Sequence, residues 1–329
     1  MKRLNLIWLP LALSIFGVYA IQRGFAVLNT SIPNMEVAMP MFFMVMSLAV
    51  LVGGYLLDNF NTRNVLLCAT VIGTVGILLV PYTPLGFGLL FGCAAALIKI
   101  GPYSSPMKLF DKNPAMKISP QSAAKNFGGA FLIFFAYGLM VKHGWVTTTQ
   151  LLASLFAFVG IATYFILPND RIKGWKWSIL KELIDDEKFW LISLYFFVMS
   201  GFYWMAVTQY KSAFMAAGFS KQDTLTYIGI SFVIAGFLRF VFSWIGDCAS
   251  KRLPLMITGT IGLGIAVYML EACHPIYSLI IFTPMSAIHT PNYWAYCKEQ
   301  WGPRYISTVL GLGYFFMYLG AGVMYGKWM

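Results

Sequence analysis

Gly54-Tyr-Leu-Leu-Asp58-Asn-Phe-Asn-Thr-Arg63 closes one long apolar run, and Gly246-Asp247-Cys-Ala-Ser-Lys251-Arg252 closes another. The acid and the base recur at one offset, 189 residues. A second echo lies close to that offset: Gly128-Gly-Ala-Phe-Leu-Ile-Phe-Phe-Ala-Tyr137 is matched 183 residues later by Gly311-Leu-Gly-Tyr-Phe-Phe-Met-Tyr-Leu-Gly320. Apolar helices look alike, so each echo alone is weak. Together they predict a duplicated unit of six spans, and parallel repeats around a central site are a transporter architecture.

Composition puts both units in a membrane. Of 329 residues, 59% are apolar and 11% charged, against about 25% charged in a soluble domain. One globular core could not hide that apolar surface, and a span needs roughly 20 apolar residues. Eleven runs qualify: 5–32, 35–57, 64–81, 84–107, 122–141, 145–168, 189–210, 222–246, 253–272, 275–297 and 306–328. Their joints carry the breakers of helix ends, among them Pro33, Asn61, Pro81, Pro84, Pro120, Gly144, Pro168, Gly218, Pro254, Pro275 and Pro303. Helices are required, because in lipid each segment must satisfy its own backbone. The short alternating strands of a barrel are absent from the sequence, and the first run reads as span one rather than a cleavable signal. The expected fold is therefore all-α, a polytopic bundle of two pseudo-symmetric halves. The divisions fall at 1–168, a polar linker at 169–188, and 189–329. By the repeat offset a twelfth span would follow Met329.

Net charge is +11, yet the basic residues form no patch that would suit nucleic acid. With Lys2 and Arg3 cytoplasmic, Arg63, Lys108, Lys112, Lys117, Arg171, Lys173, Lys176, Lys181, Lys188, Lys251, Arg252, Lys298 and Arg304 all fall on the same side. Lys142 and Lys221 fall opposite. This is the positive-inside pattern, so the expectation is an integral protein of the plasma (bacterial inner) membrane with its N-terminus in the cytoplasm. Trp175 and Trp177, set between lysines, read as an interfacial anchor. Cys68, Cys93, Cys248, Cys273 and Cys297 lack metal or disulfide spacing, and the methionines, dense over 35–46, read as adaptable packing. No cofactor or metal is expected, and a monomer is plausible.

The stretch from Gly54 to Arg63 resembles the cytoplasmic signature of the major facilitator superfamily, a glycine, an aspartate and a base five residues on. It differs at Asn61, where that family usually has glycine, and at Asn64, where a second base is common. The resemblance implies that Gly54 lets helices approach closely, and that Asp58 and Arg63, with Asp247 and Arg252, form a conformational gate of ion pairs. Without it, Asp58 and Arg63 would be an interfacial pair in a tight turn.

Charges inside spans are functional suspects. Acids are nearly missing there, with Glu36 and Glu271 near ends, whereas Arg23, Lys99, Lys125, Lys211 and Arg239 are present. Guanidinium and ammonium groups suit phosphate or carboxylate, so the expected cargo is a small anionic solute. Tyr19-Ala-Ile-Gln-Arg23-Gly-Phe-Ala is similar to the first-span signature of the organophosphate:phosphate antiporters, whose arginine there binds a phosphoryl group. Gly101-Pro-Tyr-Ser-Ser-Pro-Met-Lys108 resembles their fourth span, and Pro303 with Gly311, Tyr318, Leu319 and Gly320 their eleventh. Ala124-Lys125-Asn126-Phe-Gly128-Gly129 resembles the opening of their fifth, with Lys125 where a substrate-site histidine stands. Their second arginine, in span seven, falls near Ser200 here.

The substrate-binding candidates are thus Arg23, Lys125, Lys99, Tyr19 and His289. Competing readings are interfacial snorkelling for Arg23, a backbone partner for Lys99, and packing or proton transfer for His289. Arg239 reads as a structural partner near the second gate, and Lys211 as an outer-surface charge. The implied activity is secondary transport by alternating access; a receptor that kept the fold, or transport of a neutral solute, are the alternatives. Three scattered histidines (His143, His274, His289) supply no metal cluster or nucleophile–base pair for an enzyme. The phosphate-cradling glycine loop of an ATP-driven pump is missing from the sequence.

Overall fold

In the computed structural model, residues 8–27, 35–110, 112–167, 177–249, 251–303 and 306–326 are described, and every regular element among them is a helix. The helices are α1 (Trp8–Val27), α2 (Met35–Asn59), α3 (Thr62–Leu79), α4 (Gly92–Leu109), α5 (Pro114–Phe131), α6 (Tyr137–Ile166), α7 (Trp177–Ile184), α8 (Glu187–Ala216), α9 (Lys221–Cys248), α10 (Leu253–Glu271), α11 (Pro275–Trp301) and α12 (Ile306–Gly326). Wider π-helical turns, Gly86–Phe91 and Leu132–Ala136, lead into α4 and out of α5. The protein is a polytopic all-α membrane bundle.

The breakers act through local chemistry. The Asn61 side chain accepts from the Arg63 N–H and caps α3. Gly144 takes φ 79°, open only to glycine at low cost, and divides α6 where spans five and six were expected to part. Gly218 likewise takes φ 89° after α8. Pro254 and Pro275 open α10 and α11, where a missing N–H costs nothing. Pro120 departs from expectation. It lies inside α5, which begins at Pro114 rather than near residue 122. The Met116 carbonyl that Pro120 cannot serve accepts from the Ser119 hydroxyl at 2.8 Å, so the helix continues. The expected breakers Pro33 and Pro168, the charges Lys2, Arg3, Arg171, Lys173, Lys176 and Arg304, and Trp175 lie outside the described residues. So do the side chains of Glu36 and Trp177.

Eight helical segments among the described residues are long and apolar enough to cross a membrane, fewer than the eleven runs expected. The long helices outside that set are α1, α5 and α11. For α5 and α11 the reason is chemical: they bury polar side chains, including Gln121, Ser122, Asn126, Ser286, Thr290 and Asn292, against other helices instead of lipid. Lipid-facing surface is supplied by Val71, Val75, Phe158, Phe165, Ile261 and Tyr268, all largely exposed.

Helices α1 to α6 pack mainly on one another, chiefly α1 on α5 and α3 on α6, as do α8 with α12 and α10 with α11. The two groups meet along α2–α12 and α5–α9. The α2–α12 contact depends on glycine at both faces. A Cβ on Gly54 would stand 2.8 Å from the Ser307 carbonyl oxygen, and one on Gly311 2.7 Å from that of Val50. Both clash with backbone, which cannot swing aside, so the pair sets the helix separation.

Candidate functional site

Near the middle of the bundle, α1, α4 and α9 each bury a cation, and α5 adds a partly buried one. Arg23, Lys99 and Arg239 are wholly inaccessible, and Lys125 stands on the wall of a small central cavity. Arg23 donates to the Asn126 Oδ1. Its guanidinium lies over Tyr19, Tyr203 and Phe232, 5.4, 5.3 and 4.8 Å from the ring centroids. Nε and Nη2 of Arg23 have no partner. Lys125 stands over the same Tyr19 and Tyr203 rings, at 4.9 and 5.1 Å, and reaches the Thr290 Oγ1 at 3.4 Å. Lys99 also lies over Tyr19, 4.4 Å from its centroid. It donates to Gln22 and, at 2.6 Å, to the Tyr318 hydroxyl of α12. Tyr19 is therefore the hub that brings Arg23, Lys99 and Lys125 together.

The cavity is about 20 Å3, room for one water. Its wall includes Tyr19, Lys125, Ser200, Tyr203, Ser286 and Thr290. Hydroxyls and one ammonium thus face the centre, while Arg23 and Lys99 touch the Tyr19 ring without lining the cavity. His289 is on the wall too, but Nδ1 pairs with the Tyr195 hydroxyl at 2.5 Å and Nε2 abuts Gly259 of α10. Ser200, where the sequence suggested a missing arginine, takes a place on the same wall.

The electrostatics are one-sided. Among the described residues, the acidic side chains that are nearly inaccessible and ion-paired are Asp58 and Asp247, 1% and 5% exposed, and both lie at the end of the bundle, bound elsewhere. Two unit charges about 10 Å apart at an effective dielectric of about 20 repel by roughly 1.7 kcal/mol. Cation–π contacts return about 0.5–2 kcal/mol each, enough to hold the cations in place but not to fill their hydrogen-bonding capacity. An anion placed among them would remove the repulsion and occupy the free N–H groups.

At the end of the bundle that carries α7, two acids reach across the interface between the helix groups. Asp58, on α2, accepts from Lys108 Nζ at 2.7 Å, and from the Thr308 N–H and hydroxyl at 3.0 and 2.7 Å. Thr308 lies in the first turn of α12, so the carboxylate sits at that helix's N-terminus, where negative charge is favoured. Asp247, on α9, does the same for α5, accepting from Ala115 N–H at 3.2 Å and Met116 N–H at 2.8 Å. Arg252 holds Asp247 at 2.5 Å and Glu299 at 2.7 Å. Arg63 is placed differently from Arg252: its guanidinium lies over Tyr164 of α6 at 5.1 Å, and Asp58 takes Lys108 in its stead. Lys298 adds a third bridge, donating to the Phe110 carbonyl.

Several of these partners were not singled out from sequence. Thr308 and Glu299 carry no local signature, and Asn126 was named only within the pattern that resembles the fifth-span opening. Tyr318 and Lys108 were noticed only inside short patterns, with no role attached. Lys211 is buried within α8, because that helix runs on to Ala216 instead of ending near residue 210.

A family model described as the Major Facilitator Superfamily matches residues 6–325. Among solved structures, the fold is similar to a proton:xylose symporter, XylE, bound to 6-bromo-6-deoxy-D-glucose. The TM-score is 0.71 at 15% identity, over 99% of this chain and 88% of that one. It is similar as well to the transporter FucP in an outward conformation, with TM-score 0.71 at 12% identity, over 98% and 91% of the two chains. No curated protein matches.

Proposed function

The chain belongs to the Major Facilitator Superfamily, with the fold of secondary transporters of small solutes, and we propose that its cargo is a small anion carried by alternating access. The observation that carries this reading is the mid-bundle cluster of Arg23, Lys99, Lys125 and Arg239, wrapped in aromatic rings and hydroxyls, with no buried carboxylate beside it among the described residues. A neutral solute such as a sugar would gain little from three desolvated cations, each costly to bury, and a fourth that is partly buried. An anion offsets that cost.

In this reading Arg23 and Lys125 hold the anionic group, Tyr19 aligns them, and Lys99 links the first helix group to Tyr318. The chain divides at 1–168 and 189–329 into two rocking units. The end bearing α7 is the cytoplasmic one, in a plasma membrane. Asp58 and Asp247, each at the N-terminus of a helix from the other unit, hold that end shut, with Lys108 and Arg252 paired to the two carboxylates. Release of those contacts opens it.

The test is uptake by proteoliposomes of labelled phosphate, phosphate monoesters, mono- and dicarboxylates and, as controls, neutral sugars. Saturable flux of an anion, lost in Arg23→Ala, supports the proposal. Flux of a sugar with Arg23→Ala unimpaired overturns it, and saturable binding without any flux makes the protein a receptor.

A further inference from the structure

Helices α9 and α11 are tied together in the half of the bundle nearer α7 and part in the other half. Arg239 was expected near the second gate, but Asp247 there is taken by Arg252. Its Nη2 donates instead to the Ser286 carbonyl of α11 at 3.1 Å, and nearer α7 the Asn292 Nδ2 donates to the Phe242 carbonyl of α9 at 3.2 Å. On the other side of Leu238 and Pro284 a groove of about 430 Å3 opens between the two helices. Residues of α9 from Tyr227 to Leu238, spaced by three or four, form one wall. Those of α11 from Ile276 to Pro284 form the other, and Phe214 of α8 lies at the bottom. Phe214, Ser231, Leu279 and Thr283 are buried, whereas Ile230, Ile234, Ile276 and Ile280 are exposed along the rim. The groove is therefore a slot with depth. It opens sideways from α9, a helix long and apolar enough to cross the membrane.

The chemistry of the slot decides what can fill it. The Ser231 hydroxyl donates to the Ile228 carbonyl at 3.0 Å and the Thr283 hydroxyl to the Leu279 carbonyl at 2.6 Å, so both are turned back onto their own helices. A buried water needs two to four polar partners, and an empty slot forfeits the dispersion contacts of its walls. Hydrocarbon supplies those contacts and asks for no polar partner. The dimensions are those of one chain. Tyr227 and Leu238 stand about 16 Å apart along α9 at about 1.5 Å per residue, which matches one leaflet of a hydrocarbon core about 30 Å thick. A volume of about 430 Å3 along that length makes a channel about 6 Å across, too narrow to admit a helix about 10 Å wide. At the end away from Leu238, the rings of Phe214, Phe219 and Tyr227 stand 5.3, 5.9 and 6.0 Å from one another. Aromatic side chains gather at the membrane–water interface, which puts the mouth of the slot at headgroup level. We propose that the groove binds one acyl chain of a phospholipid from the leaflet opposite the α7 end, with the glycerol and headgroup at the aromatic mouth. The chain holds α9 and α11 apart right beside Ser286, which lies on the wall of the central cavity.

The test uses the full chain in liposomes of a phosphatidylcholine that carries a photoreactive diazirine midway along one acyl chain, with labelled residues mapped by mass spectrometry. Ser231, Leu279 and Thr283, deep in the slot, should be labelled as strongly as Phe158 and Val71, which face lipid openly. Labelling of Ile234 and Ile280 on the rim without those buried positions means that chains only pass over the groove, and the proposal fails. Ser231→Phe fills the slot from within and should cut labelling of Leu279 and Thr283 at least tenfold, with Phe158 unchanged. Undiminished labelling of Leu279 and Thr283 in that variant refutes the site. Should Ser231→Phe not fold, Ile234→Trp, which covers the mouth from the exposed rim, decides in the same way. Labelling displaced by a small proportion of oleate assigns the slot to a free fatty acid and overturns the phospholipid. In a background without the native cysteines, Ile234→Cys that couples readily to a second copy through a short bifunctional thiol reagent makes the groove an interface between copies and overturns the proposal as well.

Discussion

Replacing Asp58 by asparagine is the sharpest perturbation of the proposed gate. The carboxylate is 1% exposed and accepts three hydrogen bonds, one from an ammonium and two from Thr308 in the first turn of α12. Asparagine retains a single acceptor oxygen and presents an NH2 group to Lys108 or Thr308. A hydrogen bond to a charged group contributes about 1.5–3 kcal/mol, and stranding one member of a buried ion pair costs about 3–5 kcal/mol. Lys108 is 7% exposed and close to the end of the bundle, so water reaches it once the interface loosens and the lower range applies. The Asp247 contacts with α5 remain, so the closed end is weakened and not abolished. A bias of about 2–3 kcal/mol towards the open form follows, which is roughly 30- to 150-fold in the equilibrium between states. Ser307, wholly buried where α12 meets Gly54, reports on that interface. In a background lacking the five native cysteines, a water-soluble thiol reagent should modify Ser307→Cys at least tenfold faster when Asp58→Asn is added. Uptake should fall while substrate still binds. Asp58→Glu keeps the charge and should stay closer to the parent. Unchanged labelling together with normal flux in Asp58→Asn would refute the argument that this carboxylate holds the end shut.

Three further outcomes follow from the same geometry. Arg23→Lys should weaken binding of the transported anion about tenfold and Arg23→Ala up to about a hundredfold, from the loss of one or two charged hydrogen bonds of about 1.5–3 kcal/mol each; a competition assay with parental affinity in Arg23→Ala removes Arg23 from the site. Gly311→Leu, whose side chain would enter the Val50 carbonyl of α2, should lower the melting point and abolish uptake, whereas Gly138→Ala, with open space around its Cβ position, should be neutral on both counts. A cysteine at Ser178 should resist labelling from outside intact cells and react after permeabilisation; ready labelling from outside would reverse the proposed orientation.

The sequence carried the architecture because its strongest signals are backbone demands. Gly144, Pro254 and Pro275 mark helix ends, since few alternatives satisfy the local geometry. Where a side chain could substitute for the backbone, the same signal misled: Pro120 reads as a terminator until Ser119 is seen to serve the freed Met116 carbonyl. Hydropathy marks the helices unequally. Helices that line a polar interior are less apolar than those facing lipid, so α5 and α11, which bring Lys125, Ser286 and Thr290 to the centre, are the ones apolarity alone marks least clearly.

Ion-pair partners were the least legible feature, and the two gate motifs explain why. Both place a base five residues after an acid. In the second copy, Arg252 stands directly before α10 and turns back onto Asp247. In the first, Asn61 caps α3 and starts it two residues earlier relative to its acid. Arg63 is by then inside the first turn of α3, directed at Tyr164 of α6, and Lys108 from α4 fills the vacated place beside Asp58. A shift of two residues in the helix start thus exchanges a local partner for one 50 residues away. Arg239 follows the same logic. Its proximity in sequence to Asp247 suggested a pair, yet eight residues along α9 carry it about 12 Å up the helix, past the gate and level with Ser286. Sequence spacing therefore identified which residues bear charge inside the membrane. Which wall of the bundle each one serves was decided by where its helix begins.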